Sequence, residues 1–217
     1  ECGLNENHRT RSKLPTRAEV KEALIHKLSS MQAEGVAPDV ITFAGNGEPT
    51  MHPEFAGIID DTIETRNRFF PKAKIAVLSN STMLYKEDVF QALNKIEDNI
   101  LKLDSISDSR IGQLNVPNSP AFTFDRLLEQ LCRFNGNLII QTMFLKGEVN
   151  GESVTNTTEH EISGWLEALK QIKPKQVMIY TIDRETPVKN LKKVTKDELE
   201  AIADRARQEG FEVMVSA

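Results

Sequence analysis

The sequence predicts an α/β fold in which about six parallel strands alternate with helices. Stretches with apolar residues every three or four positions alternate with short apolar runs of strand length. Most of these runs do not alternate polar and apolar residues, which is typical of strands buried on both faces of a helix-covered parallel sheet. Each helix–strand unit takes roughly 25–40 residues, the rhythm of βαβ units. Six strands are fewer than the eight of a full TIM barrel.

The helices are predicted from their apolar stripes and from their start and stop signals. Thr16 with Glu19 and Thr195 with Glu198 have the spacing of capping boxes. The predicted helices cover residues 16–34, 53–70, 86–97, 124–134, 159–172 and 195–209.

The apolar runs between these helices are the predicted strands. They cover residues 40–44, 74–78, 100–103, 138–144, 176–181 and 211–215. No linker or low-complexity stretch divides the 217 residues, so we expect a single domain over 1–217. The polar segment 147–158 is predicted to be an exposed loop, and the charged segment 189–196 a solvated surface.

Composition limits the classes of function. The net charge of −5 and the pI near 5.5 argue against non-specific binding to nucleic acid. No apolar run reaches the ~18–20 residues of a membrane span, so we expect a cytoplasmic protein without a membrane partner. The two cysteines, Cys2 and Cys132, have no metal-ligand spacing, and we expect Cys132 to be a free buried thiol.

Polar residues follow the predicted strands, at the end where sites form in parallel α/β folds. After the first strand, Gly45, Asn46, Gly47 and Glu48 form a candidate ledge for a cationic group such as an ammonium. An ordinary strand–helix turn is the alternative. Pro49 favours an extended Glu48, and the spacing does not match a phosphate loop.

The second predicted strand ends in Ser79, Asn80 and Ser81, whose side chains could bind a ribose or a carboxylate or could simply form a turn. His52, at a helix entry, is better explained by a structural role than by catalysis.

Three later strands carry polar groups inside apolar runs. Lys102 and Asp104 lie two apart, on one side of a strand, where charges are costly unless paired or functional. Gln141 and Thr142 interrupt another run, which indicates either a bound ligand or an internal hydrogen-bond network. Tyr180 is similarly ambiguous.

Four of these segments together resemble a known family. The stretches FAGNGEPTMHPEF, VLSNSTML, LKLDS and QTMFLKG, in this order, are similar to radical S-adenosylmethionine (radical SAM) enzymes, and most of all to the wyosine-synthetase-related Fe–S oxidoreductase group. The match runs from about Asp39 to at least Gly147 and continues less specifically to the last helix.

The resemblance implies a partial (β/α)6 TIM-like barrel that is open at one side. It implies that Gly45, Asn46, Gly47 and Glu48 meet the methionyl amino group of S-adenosylmethionine. Ser79, Asn80 and Ser81 would lie near its ribose or carboxylate. Asp104 and Gln141 would line the pocket, with Met143 and Tyr180 as weaker candidates. The implied reaction is reductive cleavage of S-adenosylmethionine by a [4Fe–4S] cluster, giving a 5′-deoxyadenosyl radical that takes hydrogen from a substrate.

One departure from the family concerns the cluster. The family holds its cluster with a CxxxCxxC motif, which is absent from these 217 residues, and two distant cysteines do not replace three thiolate ligands. The resemblance implies that the chain starts just after the cluster loop, with the ligands upstream of residue 1. We therefore expect the polypeptide alone to be inactive as an oxidoreductase.

Two further functions remain open from the sequence. One is a non-catalytic barrel that binds or scaffolds a partner, and the other is an ordinary enzyme that uses Glu48, Lys102 and Asp104 for proton transfer. The enzyme interpretation implies an external electron donor and an unknown substrate, which could be a small molecule, a peptide or a modified nucleoside. The acidic composition makes nucleic acid the less favoured partner.

Overall fold

The computed structural model describes residues 14–44, 47–115, 121–149, 151–183 and 190–216. These residues form seven α-helices, one short 3-10 helix and nine strands. The helices are α1 (Arg17–Ala33), the 3-10 helix (Pro49–Met51), α2 (Phe55–Phe69), α3 (Glu87–Asn94), α4 (Asp108–Asn115), α5 (Phe124–Cys132), α6 (Glu159–Ile172) and α7 (Lys196–Gln208). The strands are β1 (Val40–Phe43), β2 (Lys74–Ser79), β3 (Asp98–Lys102), β4 (Ile139–Met143), β5 (Leu145–Val149), β6 (Glu152–Ser153), β7 (Gln176–Tyr180), β8 (Leu191–Lys193) and β9 (Val213–Ser216).

The described residues cluster into two compact units. The N-terminal unit contains residues up to 79 together with 83–99, and the C-terminal unit contains 80–82 together with 100–216. The prediction of one domain over 1–217 stays a prediction.

In the N-terminal unit, β1 and β2 are parallel, with Val40 opposite Lys74 and Phe43 opposite Val77. The capping box predicted at Thr16 and Glu19 starts α1. Helix α1 is tied to α2 by Arg17, whose guanidinium lies 2.6 Å from the Asp61 carboxylate.

In the C-terminal unit, the strands β3, β4, β7 and β9 lie side by side and are all parallel. Side chains on one face of this sheet are fully buried, for example Leu101, Ile140 and Val177. On this face the Trp165 ring of α6 meets the Phe144 ring edge-on at 5.4 Å. Alternating residues of the same strands lie on the opposite face and are less buried.

A small antiparallel sheet with the order β6–β5–β8 also belongs to the C-terminal unit. Strand β5 approaches β8 closely at Gly147 (φ 128°), where a Cβ would stand 2.1 Å from the Asn190 carbonyl oxygen. The prediction of an exposed loop over 147–158 is wrong in part, because Val154 and Asn156 are buried in this region. Segment 189–196 is solvated at Lys192 and Lys193, although it contains β8.

The prediction of an α/β fold with parallel strands is confirmed. All six predicted strands and all six predicted helices are present, with ends shifted by a few residues. The second helix begins at Phe55 rather than at Pro53, after the 3-10 turn. Helix α4, the 3-10 helix and the antiparallel sheet were not predicted. Among the described helices, none combines the length and the apolarity needed to cross a bilayer.

Candidate functional site

The first predicted binding segment lies in the N-terminal unit. Gly45 and Asn46 lie outside the described residues. Gly47 has no described heavy atom within 4 Å of the place where a Cβ would stand. Glu48 is extended (φ −88°, ψ 112°), as predicted, and its Oε1 accepts hydrogen bonds from the backbone N–H (3.1 Å) and the hydroxyl of Thr50. Glu48 therefore caps the 3-10 helix, and its predicted role in binding a ligand stays a prediction.

His52 has the structural role that the sequence favoured. Its Nδ1 accepts a hydrogen bond from the Glu54 backbone N–H at 3.1 Å, so the proton of the neutral ring lies on Nε2. Nε2 then donates to the carbonyl of Pro15 at 2.8 Å. Both ring nitrogens hold the entry of α2 against the segment before α1.

The second predicted segment is engaged in its own turn. In the N-terminal unit, Ser79 ends β2 as a buried residue. In the C-terminal unit, Asn80 Oδ1 accepts from the backbone N–H (3.0 Å) and the hydroxyl (2.7 Å) of Thr82. Ser81 has a left-handed backbone (φ 68°), and its buried hydroxyl donates to the Lys102 carbonyl at 2.9 Å. A non-glycine residue held in this conformation is uncommon and marks a locally constrained position.

The most distinctive group at the strand ends is the pair Lys102 and Asp104. The Asp104 side chain is 1% exposed, and its Oδ1 accepts the backbone N–H of Met143 at 2.9 Å. Its Oδ2 lies 3.3 Å from the Lys102 ammonium, an ion pair without hydrogen-bond geometry, and accepts no hydrogen bond from any described residue. A buried carboxylate oxygen in this condition is rare, because an unsatisfied buried polar group costs ~1–3 kcal/mol or more.

Lys102 remains a cation in this setting. Burial lowers the pKa of its ammonium, but the Asp104 carboxylate and Tyr180 together raise it further, so the net pKa lies above the usual value. The ammonium stands 5.8 Å from the centroid of the Tyr180 ring. The Lys102 side chain as a whole is 26% exposed.

Asn156 is a buried residue that the sequence analysis did not single out. Its Nδ2 donates to the carbonyls of Asp104 (2.7 Å) and Met143 (2.8 Å), and its Oδ1 accepts from the backbone N–H of Leu145 at 2.8 Å. One side chain thus joins the residue after β3 to the end of β4 and the start of β5. No periodic pattern reveals such a residue, although an apolar Val154 inside a polar loop was a signal of burial.

The two polar residues of β4, Gln141 and Thr142, have different surroundings. Thr142 belongs to an internal network, since its hydroxyl donates to the Leu103 carbonyl at 2.7 Å and accepts from Trp165 Nε1 at 2.9 Å. Gln141 lies on the opposite face of the sheet, in register with Lys102 on β3 and Met178 on β7. Gln141 therefore keeps its predicted role as a lining residue, which stays a prediction.

A second buried acid, Glu161 on α6, is connected to this region by a hydrogen bond from Ser105, the residue after Asp104. Its Oε2 accepts from the Ser105 hydroxyl (2.7 Å) and the Ile106 backbone N–H (3.2 Å), and its Oε1 lies 2.5 Å from the Arg110 guanidinium. Gly164 allows this approach, because a Cβ there would stand 2.2 Å from Ile106 Cδ1. Glu161 fixes the loop that follows Asp104.

Neither the composition nor the described residues fit an iron–sulfur cluster. The chain has two cysteines, and Cys132 is half-buried, with its thiol pKa raised by burial, which disfavours the thiolate that binds iron. Among the described residues, no group of three or more histidine, cysteine, aspartate or glutamate side chains is arranged to hold a metal.

The predicted residues are thus placed in two sets. Gly47, Glu48 and Ser79 lie in the N-terminal unit, and Asn80, Ser81, Asp104 and Gln141 in the C-terminal unit. Within the C-terminal unit, Ser81 reaches the strand of Lys102, which in turn pairs with Asp104. A single pocket formed by both sets stays a prediction.

Comparisons with known proteins were made by sequence and by structure. No family model matches the chain. A "UPF0026 protein" of Helicobacter pylori is 28% identical over 183 residues, which are 82% of this chain and 55% of that protein. A UPF0026 protein of Methanocaldococcus jannaschii is 27% identical over 158 residues, 71% of this chain and 45% of that protein. The chain spans about half the length of these curated relatives.

Several solved structures are similar in fold to this chain. The structure of Streptococcus suis SuiB bound to S-adenosylmethionine superimposes with a TM-score of 0.65 and 15% identity, over 91% of this chain and 43% of that one. A radical SAM methyltransferase from Sphaerobacter thermophilus gives 0.64 and 13%, over 93% and 57%. The structure of TYW1 with a lysine-pyruvate adduct gives 0.58 and 16%, over 88% and 60%.

The chain therefore shares its α/β fold, with parallel strands alternating with helices, with a radical SAM methyltransferase and with SuiB. The predicted resemblance to radical SAM enzymes is confirmed at the level of the fold. UPF0026 proteins are among the curated relatives that the chain matches.

Proposed function

We propose that this chain is the core of a radical SAM enzyme that binds S-adenosylmethionine and generates a 5′-deoxyadenosyl radical for use on a substrate. The [4Fe–4S] cluster that supplies the electron would need thiolate ligands in addition to the two cysteines of these 217 residues. An external electron donor would reduce the cluster. The fold shared with a SuiB structure that contains S-adenosylmethionine supports the proposal. Because a fold alone does not define a function, the proposal also needs an observation on the site itself.

The observation that carries the proposal is the buried Asp104. Its Oδ2 lacks a hydrogen bond from the described residues, while its Oδ1 and its backbone carbonyl are fixed by Met143 and Asn156. A rigidly held acceptor of this kind fits a ligand with hydroxyl or ammonium donors, and S-adenosylmethionine carries both. Desolvation strengthens such a charge-assisted bond.

The ledge of residues 45–48 keeps the role that the resemblance implies for it. Glu48 is held in an extended conformation by Thr50, and the space beside Gly47 admits a ligand close to the backbone. Gly45 and Asn46 would complete this ledge around the methionyl ammonium. Ser79, Asn80 and Ser81 would lie near the ribose or carboxylate, and Gln141 would line the pocket.

The experiment uses the complete gene product, reconstituted anaerobically with iron and sulfide and then reduced. Formation of 5′-deoxyadenosine from S-adenosylmethionine is the expected result. Asp104→Asn should weaken S-adenosylmethionine binding roughly tenfold or more, as expected for loss of a buried charge-assisted hydrogen bond.

The matched control is Asp183→Asn, which changes an aspartate that follows β7 but is 91% exposed. It should bind S-adenosylmethionine like the wild type. A cluster-loaded protein that binds no S-adenosylmethionine would overturn the proposal and favour the non-catalytic scaffold. Turnover of a substrate without iron would favour the ordinary proton-transfer enzyme.

A further inference from the structure

One face of the four-stranded parallel sheet in the C-terminal unit remains incompletely buried. We call it the open face, formed by side chains at alternate positions in the carboxyl-terminal parts of β3, β4, β7 and β9; on the same face, Ile100 and Ile139 near the amino ends of β3 and β4 are buried. Its residues are Lys102, Gln141, Met143, Met178, Tyr180, Met214 and Ser216. All are intermediate or exposed, whereas their neighbours on the other face, such as Leu101 and Ile179, are at most 1% exposed.

The register places these residues in one row across the sheet. Lys102 is opposite Gln141, Gln141 is opposite Met178, and Met178 is opposite Met214. With about 4.8 Å between neighbouring strands, the row spans about 14 Å from the ammonium end to the last methionine. This length suits an elongated small molecule rather than a single ion.

The chemistry of the open face changes along the row. At one end is the Lys102 cation, and at the other are Met178 and Met214, the latter 46% exposed. Three of the six methionines of the chain lie on this face. Methionine is flexible and polarisable, packs against apolar bodies of varied shape, and makes favourable contacts with aromatic rings.

The charge at Lys102 is set up to meet an anion. An ammonium has three N–H donors, and Asp104 takes the charge without hydrogen-bond geometry, at 3.3 Å. The Lys102 side chain is 26% exposed and belongs to an open-face position of β3, and its ammonium lies 5.8 Å from the centroid of the Tyr180 ring. A carboxylate or phosphate next to Lys102 would form the hydrogen bonds that Asp104 does not.

We propose that the open face binds the substrate, and that this substrate is an elongated molecule with an anionic group at Lys102 and an apolar or aromatic body on Met178 and Met214. The proposal rests on the proposed function only in calling the bound molecule the substrate of the enzyme. The binding surface itself is independent of the cluster and of S-adenosylmethionine.

The test is a binding titration followed by NMR on the complete gene product with ¹³C-labelled methionine methyl groups. The probes are 3-phenylpropionate, its uncharged amide, and 2-phenylethyl phosphate, which separate the charge from the body and the carboxylate from the phosphate. The methyl signals of Met178 and Met214 should shift with one or both anions, at concentrations roughly tenfold lower than with the amide. Signals of Met31, Met51 and Met83, in the N-terminal unit, serve as internal references.

Variants then test whether the Lys102 charge causes the preference for anions. Lys102→Met should remove the preference for the anions, Lys102→Arg should keep it, and Lys192→Met, at an exposed lysine of β8, should leave it unchanged. Equal binding of the acid and the amide by the wild-type protein would overturn the proposal, even if Lys102→Met does not fold. So would shifts confined to the reference methionines. Because binding is measured without reduction, a failure here is distinguishable from a failure to form 5′-deoxyadenosine.

Discussion

Two acids are buried in the C-terminal unit, and their surroundings differ. Glu161 is 2% exposed, and both its oxygens are satisfied, by a hydroxyl, a backbone N–H and a guanidinium. Asp104 is equally buried, but one of its oxygens meets only an ammonium at poor geometry. A buried charge that its own protein satisfies is a structural element, whereas one left partly unsatisfied is a candidate for ligand binding.

The largest expected effect is on stability, from Glu161→Gln. The substitution keeps the shape but leaves the Arg110 guanidinium facing an amide, and breaking a buried ion pair in this way costs about 3–5 kcal/mol. Chemical denaturation should show this loss, while S-adenosylmethionine affinity of the folded protein stays at the wild-type value. Asp104→Asn should give the reverse pattern, with weak binding and a smaller loss of stability. The comparison fails if both variants change the same quantity.

A somewhat smaller effect is expected from Asn156→Ala, which removes the link between Asp104, Met143 and Leu145. Three hydrogen bonds are lost and buried backbone groups are left without partners, at a cost of about 2–3 kcal/mol. Because the Asp104 carbonyl loses its anchor, S-adenosylmethionine binding should weaken as well. Denaturation and binding titrations on one preparation test this coupling. As a control, Thr155→Ala changes the adjacent residue, which is more exposed, and should leave binding intact.

The smallest effect concerns an acid of the N-terminal unit, Asp61, which is paired with the partly exposed Arg17 and Lys21. The Arg17 guanidinium, together with Lys21, lowers the pKa of the Asp61 carboxyl to about 2. The folded pKa lies below the ordinary value of 3.8, so its stabilisation is complete above about pH 4 and is lost as the pH falls toward 2.

Asp61→Asn should therefore flatten the loss of thermal stability in this window and slightly lower the melting temperature at neutral pH. Thermal unfolding followed by circular dichroism between pH 7 and 2 measures both. Glu129→Gln, at an exposed position of α5, is the control. If the melting temperature of Asp61→Asn falls below pH 4 as steeply as that of the wild type, the ion pair with Arg17 contributes nothing to stability.

The parts of the fold that could be predicted are those in which burial constrains composition. The runs that became β2, β4 and β7 are apolar because each strand buries side chains in the core. The two capping boxes marked α1 and α7. Strands β5, β6 and β8 are short and polar, with much of their surface in water, so their sequence resembles that of a loop.

The positions of the candidate residues in the fold could be predicted, whereas their binding roles stay predictions. Asp104 follows β3 and Gln141 lies within β4, as the apolar runs of the sequence indicated. The sequence could not show that Asn80 and Ser81 are engaged by Thr82 and Lys102, since turn chemistry and ligand chemistry use the same side chains. Nor could it identify Asn156, whose function depends on three backbone groups brought together only by folding.

Trp165, the sole tryptophan of the chain, is 2% exposed, and its indole N–H binds the Thr142 hydroxyl under the β4 strand. Its fluorescence therefore reports on one half of the molecule. Emission should be at short wavelength in the native state and should move to the red when the C-terminal unit opens, whereas melting of α1 and α2 alone should leave the spectrum unchanged. The protein thus carries an intrinsic optical probe that can follow the two units separately during unfolding when it is combined with circular dichroism.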